Sequence, residues 1–178
     1  EITDVANAVF EQADAIMLSG ETTVGKYPLQ CMEVFDRIAR RIERSGGANY
    51  QERAQLTSPR QKLVRSAVTM ADDLKADAIL VFTRRGAMAR HTAWMRPRHS
   101  PIFAFCERWE MADSLALNYG VTASVIRFNH THPEQTVEHA IQHLLASGRL
   151  RPGNTVVIIT TLSAGEQVVD AVQMRVVN

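Results

Sequence analysis

Ala78-Ile79-Leu80-Val81-Phe82-Thr83-Arg84-Arg85-Gly86 is an apolar run that breaks abruptly into a cationic loop closed by glycine. A run without polar alternation predicts a strand buried on both faces, as in a parallel sheet. The pattern recurs downstream. Pro101–Phe105, Val121–Ile126 and Thr155–Ile159 read as further buried strands. Between them lie helical stretches: one through about Met95, one from Glu107 to Tyr119 stopped by Gly120, and one from Pro133 to Ser147 stopped by Gly148. Upstream, Ser58-Pro59-Arg60-Gln61 supplies an N-cap, a first-turn proline and a capping-box glutamine. The helix that follows is expected to bury Leu63, Ala67, Met70, Ala71 and Leu74. Gln173–Val177 reads as a last strand, reached by a connection too short for a crossover helix and therefore antiparallel.

Strands alternating with helices predict the α/β class: an open, doubly wound, mostly parallel sheet of about five strands with one antiparallel edge strand. Such sheets bind ligands at the carboxyl ends of their strands, near the point where strand order reverses. The loops at those ends are Thr83–Met88, Cys106–Trp109, Asn129–His132 and Thr160–Gly165. Thr83, Arg84, Arg85 and Gly86 lie between a buried strand and a helix, where free backbone N–H groups and the helix dipole favour an anion. Two arginines add charge-assisted donors suited to phosphate. Thr160, Thr161 and Ser163 are expected on the facing loop. The other reading of the same residues is a solvated turn that binds nothing.

The first 57 residues follow a different plan. Asp14-Ala15-Ile16-Met17-Leu18-Ser19-Gly20-Glu21-Thr22 reads as a short buried strand, Ala15–Leu18, running into a loop of hydroxyls and one carboxylate. A short helix to about Gln12 precedes it. A longer one from Pro28 carries Met32, Phe35, Ile38, Ala39 and Ile42 on one stripe and Arg37, Arg40, Arg41 and Arg44 mostly off it. Those arginines read as a solvated face near the helix C-terminus rather than as an anion site. Ser45–Tyr50, with the polar stretch up to Thr57, reads as a linker. Gly20–Tyr27 nearly matches a phosphate-binding loop, G-x-x-x-x-G-K, but Tyr27 stands where a small hydroxyl would hold Mg²⁺. A P-loop NTPase is therefore only a distant reading.

Asp4-Val5-Ala6-Asn7-Ala8-Val9, then Met17-Leu18-Ser19-Gly20-Glu21-Thr22, then Gly25-Lys26-Tyr27-Pro28 resemble pyruvate kinase in order and spacing. The likeness is strongest over the first thirty residues or so and extends more weakly to Val177. It implies that residues 1–44 are the last strand–helix elements of a catalytic (β/α)₈ barrel, 45–57 a linker, and 58–178 a C-terminal regulatory domain. It implies an enzyme transferring a phosphoryl group between phosphoenolpyruvate/pyruvate and ADP/ATP, with Mg²⁺ and K⁺ held on earlier barrel strands. Ser19, Gly20, Glu21 and Thr22 would lie at the edge of that active site, and this stretch alone would be inactive. The family's T-x-S-G-x-S loop holds an effector phosphate. Thr83 and Gly86 match it, whereas Arg85 and Met88 replace its serines. Thr160–Gln167 does not resemble the glycine-rich final loop of members that bind fructose bisphosphate. The resemblance thus implies a different phosphorylated effector, such as a nucleoside or sugar monophosphate, or insensitivity to effectors. A homo-oligomer, tetrameric by resemblance, and a cytoplasmic location are also implied. The alternative is a stand-alone phospho-ligand-binding module. Glu1 in place of Met fits a stretch of a longer polypeptide.

Composition bounds the remaining classes. In 178 residues, 46% are hydrophobic, 22% are charged and the net charge is +1, which describes a globular chain without a field for nucleic acid or membrane. Cys31 and Cys106 lack a metal or redox spacing and read as two buried, reduced thiols. His130-x-His132 and His139-x-x-x-His143 have ligand-like spacing. No acidic or cysteine partner accompanies them, and His139 and His143 fall off the apolar face of their helix, so no metal site is expected. Trp94 and Trp109 are expected to be packing residues.

Overall fold

The computed structural model describes residues 2–164 and 167–178, with side chains described outside 162–168. The chain forms two compact units, Glu1–Ala54 and Gln55–Asn178.

The second unit is the α/β sheet. Its elements are α5 (Pro59–Leu74), β1 (Ala78–Phe82), α6 (Ala87–Trp94), β2 (Ile102–Cys106), α7 (Trp109–Leu115), β3 (Val121–Val125), α8 (Pro133–Ala146), β4 (Thr155–Ala164) and β5 (Gln167–Val176). Strand order is β3-β2-β1-β4-β5. The first four are mutually parallel and β5 runs antiparallel on β4, as the patterning predicts. From β1 the chain steps outward to β2 and β3, then returns to the other side of β1 as β4. The order therefore reverses between β1 and β4, which is where such a sheet opens a ligand crevice.

Alternate strand residues feed two cores. Ile79, Val81, Val157 and Ile159 pack against α5 and α6, while Leu80, Phe82, Phe105 and Ile158 pack against α8. Every residue of β1 and β2 is buried, consistent with a sheet covered on both faces. The capping box of α5 forms: Ser58 Oγ accepts from Gln61 N at 3.2 Å, and Gln61 Oε1 accepts from Ser58 N at 3.1 Å. At its other end, Lys75 adopts the left-handed conformation (φ 50°) that closes the helix.

Three expectations are corrected here. The buried stripe of α5 is Val64, Ala67, Val68 and Ala71, with Met70 and Leu74 exposed. The β-branched pair Val64/Val68 reaches the sheet because the helix is turned by about one position from the predicted stripe. Thr160, Thr161 and Ser163 do not sit on a loop. β4 runs on to Ala164, because Val168, Val169 and Val172 on β5 continue the antiparallel ladder opposite Ser163, Leu162 and Ile159. Trp94 and Trp109 are exposed, Trp109 to 71%, and the Trp94 ring lies against His91 with ring centroids 5.1 Å apart. Trp94 is the last residue of α6 and Trp109 the first of α7.

The first unit holds α1 (Ile2–Phe10), α2 (Gly20–Thr23), α3 (Pro28–Glu43) and the single turn α4 (Tyr50–Arg53). None of these helices contains a buried residue. Ala15–Leu18, expected as a buried strand, has no strand structure, and Met17 is 85% exposed. A strand needs a neighbour for its N–H and C=O groups. All described strands belong to the sheet of the other unit. Of the two cysteines, Cys106 is buried and Cys31 is half-buried.

Candidate functional site

A cleft of about 370 Å³ opens where β1 and β4 end. Its floor is built from the first residues beyond the buried strand segments. Thr83 follows β1 and is tied to the sheet by its N–H, which donates to Phe105 O at 3.0 Å. Arg84 and Arg85 follow, exposed, and Gly86 begins α6 with φ 78°. Glycine is favoured there by its backbone, and a side chain would also have to displace two neighbours. The left-handed φ disfavours a side chain, and a Cβ would lie 2.8 Å from Met111 Sδ and 2.9 Å from Arg90 Nη1. Arg90 in turn fixes the loop, donating from Nη1 to Arg85 O at 3.2 Å and from Nη2 to Ser114 Oγ at 2.9 Å. No side chain caps α6, so its first N–H groups remain available to an anion.

Across the cleft stands β4. Thr160 is 3% exposed, and its hydroxyl is buried without a hydrogen-bond partner among the described residues. An orphaned buried hydroxyl carries a desolvation cost of about 1–3 kcal/mol, which a ligand oxygen in the cleft would relieve. Thr161 Oγ1 donates to Asp170 Oδ1 at 2.8 Å, and the other oxygen of that carboxylate accepts from Arg60 Nε at 2.7 Å. Ser163 lies farther along β4, and its side chain is outside the described residues.

The third wall is the segment before α8. Arg84 Nη2 lies 3.0 Å from His130 Nδ1. A guanidinium only donates, so Nδ1 accepts and the ring proton sits on Nε2, which faces Glu107 Oε1 at 3.5 Å. Asn129 shapes the turn, its Oδ1 accepting from the N–H groups of Thr131 and His132 at 3.1 and 2.9 Å. Next door, burial pushes the Cys106 thiol up from its ordinary pKa, which suits an inert structural cysteine. Burial, then the charge of Arg60, pushes His91 down.

Of the residues singled out from sequence, Thr83, Arg84, Arg85, Thr160 and Thr161 thus line one cleft, and Gly86, buried, turns the loop into α6 without lining it. Ser19, Gly20, Glu21 and Thr22 belong to the other unit. There Glu21 Oε2 accepts from Ser19 N at 3.0 Å, and backbone hydrogen bonds hold its carboxyl below the ordinary value. Thr22 and Thr23 donate their hydroxyls to Ser19 O. Among the described residues no cluster of three or more His, Cys, Asp or Glu could hold a metal. One engaged carboxylate with two inward-turned hydroxyls does not make a Mg²⁺ or K⁺ site unaided. His139 and His143 are exposed, His143 resting edge-on against Phe105 at 6.4 Å.

Arg60, His130 and Asp170 were missed as site residues. Arg60 was legible in principle: a helix leading into the first parallel strand begins at the carboxyl edge of the sheet, beside the crevice. His130 falls within the Asn129–His132 loop expected at the crevice, but nothing in its spacing singles it out as a partner of Arg84.

Comparison with known proteins bears on the whole chain. Residues 61–174 match the family described as pyruvate kinase, alpha/beta domain, and residues 1–32 match pyruvate kinase, barrel domain. The chain belongs to the pyruvate kinase family. It is 33% identical over 178 residues to pyruvate kinase 2 of Synechocystis sp., covering 99% of this chain and 30% of that protein. It is 34% identical over 175 residues to pyruvate kinase of Bacillus licheniformis, covering 93% and 28%. To the chloroplastic pyruvate kinase isozyme G of Ricinus communis it is 38% identical over 168 residues, covering 89% and 38%. The chain thus spans about a third of the length of these pyruvate kinases. No helix among the described residues is long and apolar enough to cross a membrane.

Proposed function

We propose that this chain is the C-terminal, effector-sensing and assembly portion of a pyruvate kinase, with its cleft taking a phosphorylated small molecule. Transfer of phosphate from phosphoenolpyruvate to ADP, with Mg²⁺ and K⁺, would then be carried by barrel elements other than those present here. Ser19–Thr22 would border that active site, and subunits would assemble as a homo-oligomer, a tetramer by resemblance. The domain division in this reading is 1–44 for the barrel end, 45–57 for the linker and 58–178 for the regulatory domain.

The observation that carries the effector reading is the buried hydroxyl of Thr160, without a partner among the described residues, in a cleft that also takes in an uncapped helix start preceded by two arginines. Each group is suited to a phosphate oxygen, by hydroxyl donation, backbone donation and charge. Arg85 has no side-chain partner among the described residues, so its guanidinium is free to meet a ligand.

Calorimetric titration of AMP, glucose 6-phosphate and fructose bisphosphate into the wild type and Arg85→Ala tests this. A monophosphate is expected to bind, and the substitution to weaken it about tenfold or more, since a charge-assisted hydrogen bond contributes roughly 1.5–3 kcal/mol. Absence of submillimolar binding by any of the three, or equal binding to the variant, would leave the loop a solvated turn.

A further inference from the structure

The three arginines bordering the cleft, Arg60, Arg84 and Arg85, are not equivalent. Arg84 meets a ring nitrogen of His130 rather than a carboxylate. Arg85 is free among the described residues. Arg60, at the start of α5, is engaged by Asp170 on β5 through its Nε at 2.7 Å. The Asp170 side chain is 19% exposed and that of Arg60 is 51% exposed. Thr161 Oγ1 holds the second carboxylate oxygen from the neighbouring strand at 2.8 Å, opposite Asp170 in the ladder. The carboxylate is thus the fixed partner, pinned from two elements, and Arg60 is drawn to it.

The consequence is a charge count. With Arg60 compensated, the cleft offers the uncompensated charge of two guanidinium groups. A phosphate monoester carries about −1.5 to −2 at neutral pH, so one such group is matched. A second phosphate would need a third free cation. Among the described residues lining the cleft the one further guanidinium is Arg60, and the carboxylate that holds it would repel the newcomer.

Resting on the effector reading above, we propose that Asp170 is the specificity-determining residue of the cleft. By occupying Arg60 it restricts the ligand to a single phosphate on an uncharged remainder, such as a sugar or nucleoside monophosphate, and rejects bisphosphates.

Three variants titrated with glucose 6-phosphate and fructose 1,6-bisphosphate test it. Asp170→Asn keeps the shape and frees the charge of Arg60. The bisphosphate should then bind about tenfold more tightly or better, as one added charge-assisted contact allows, with a smaller gain for the monophosphate, so that the preference shifts toward the bisphosphate. Arg60→Gln leaves the carboxylate uncompensated and should weaken the monophosphate by about tenfold. Adding Asp170→Asn to Arg60→Gln should restore monophosphate binding without any gain for the bisphosphate. A purely structural clamp would give no such restoration. If the wild type binds the monophosphate while Asp170→Asn leaves the preference unmoved, the inference falls and the effector reading stands. If neither ligand binds the wild type or Asp170→Asn, both fall. Should Asp170→Asn not fold, the two Arg60→Gln proteins decide: failure of the second change to restore binding overturns the role of Asp170.

Discussion

Ala15–Leu18 and Ala78–Phe82 are both short apolar runs that break into a polar loop. The second is a strand with every residue buried, and the first is irregular chain with Met17 in the open. The difference lies in their neighbours. Ala78–Phe82 has β2 on one side, β4 on the other, and helices over both faces. Ala15–Leu18 belongs to the segment matched by the pyruvate kinase barrel domain, and a barrel strand is paired on both sides within a closed ring. Residues 2–54 leave large apolar side chains such as Phe10, Met17, Leu29 and Met32 exposed, whereas residues 55–178 close their own core.

The sharpest way to break that contrast is to empty each run. Leu80→Ala removes a side chain with no exposed surface and should cost about 2–5 kcal/mol in urea unfolding of the 55–178 unit. Met17→Ala should stay within about 0.5 kcal/mol. Comparable losses from the two would mean that the opening segment is as well packed as the sheet.

Within the sheet unit, Thr160 separates stability from binding. Replacing a buried hydroxyl that lacks a partner with a methyl should stabilise the ligand-free protein, so Thr160→Val is expected to raise stability by about 1 kcal/mol. The same change should weaken phosphate binding. A destabilised Thr160→Val would show that the hydroxyl is already satisfied, and the strongest mark of a ligand site would be lost.

A smaller effect concerns the outer edge. Arg175 on β5 grips Glu134 at the start of α8, with Nη2 to Oε2 at 2.7 Å and a second contact between Nη1 and Oε1. The Arg175 hydrogen bond holds the Glu134 carboxyl below its ordinary value of 4.5. A carboxyl lowered in the folded state stabilises fully above its unfolded pKa and loses that contribution as pH falls through the folded value. Half of the Glu134 side chain is in water, so the pair should contribute about 0.2–1 kcal/mol. Glu134→Gln should therefore lower stability at neutral pH slightly and converge with the wild type as pH falls through the lowered value of the Glu134 carboxyl. An unchanged gap in acid would assign the loss to packing instead.

What could be read from the sequence followed from what is local. Unbroken apolar runs separated by amphipathic helices were enough for the doubly wound sheet, and the switch-point rule placed Thr83–Gly86 and Thr160–Thr161 at one crevice. Pairing was not local. The ladder between β4 and β5 extends well past Ile159, because valines on the second strand continue it beyond the polar Thr160-Thr161. Reading the last strand from Gln173 therefore left Asp170 and its register with Thr161 out of view. The same limit explains Ala15–Leu18, whose pattern says how it packs but not whether the partners are at hand.

The contrast between the two regions meets the proposed function in amide hydrogen exchange of the chain with and without saturating glucose 6-phosphate. The free N–H groups at the start of α6 should be covered by a phosphate, and its contact with the Thr160 hydroxyl should steady that stretch of β4. The account predicts slowed exchange confined to residues 83–89 and 159–161, with 2–54 unaffected and fast throughout. No change at 83–89, or a change centred on Ser19–Lys26, would contradict it.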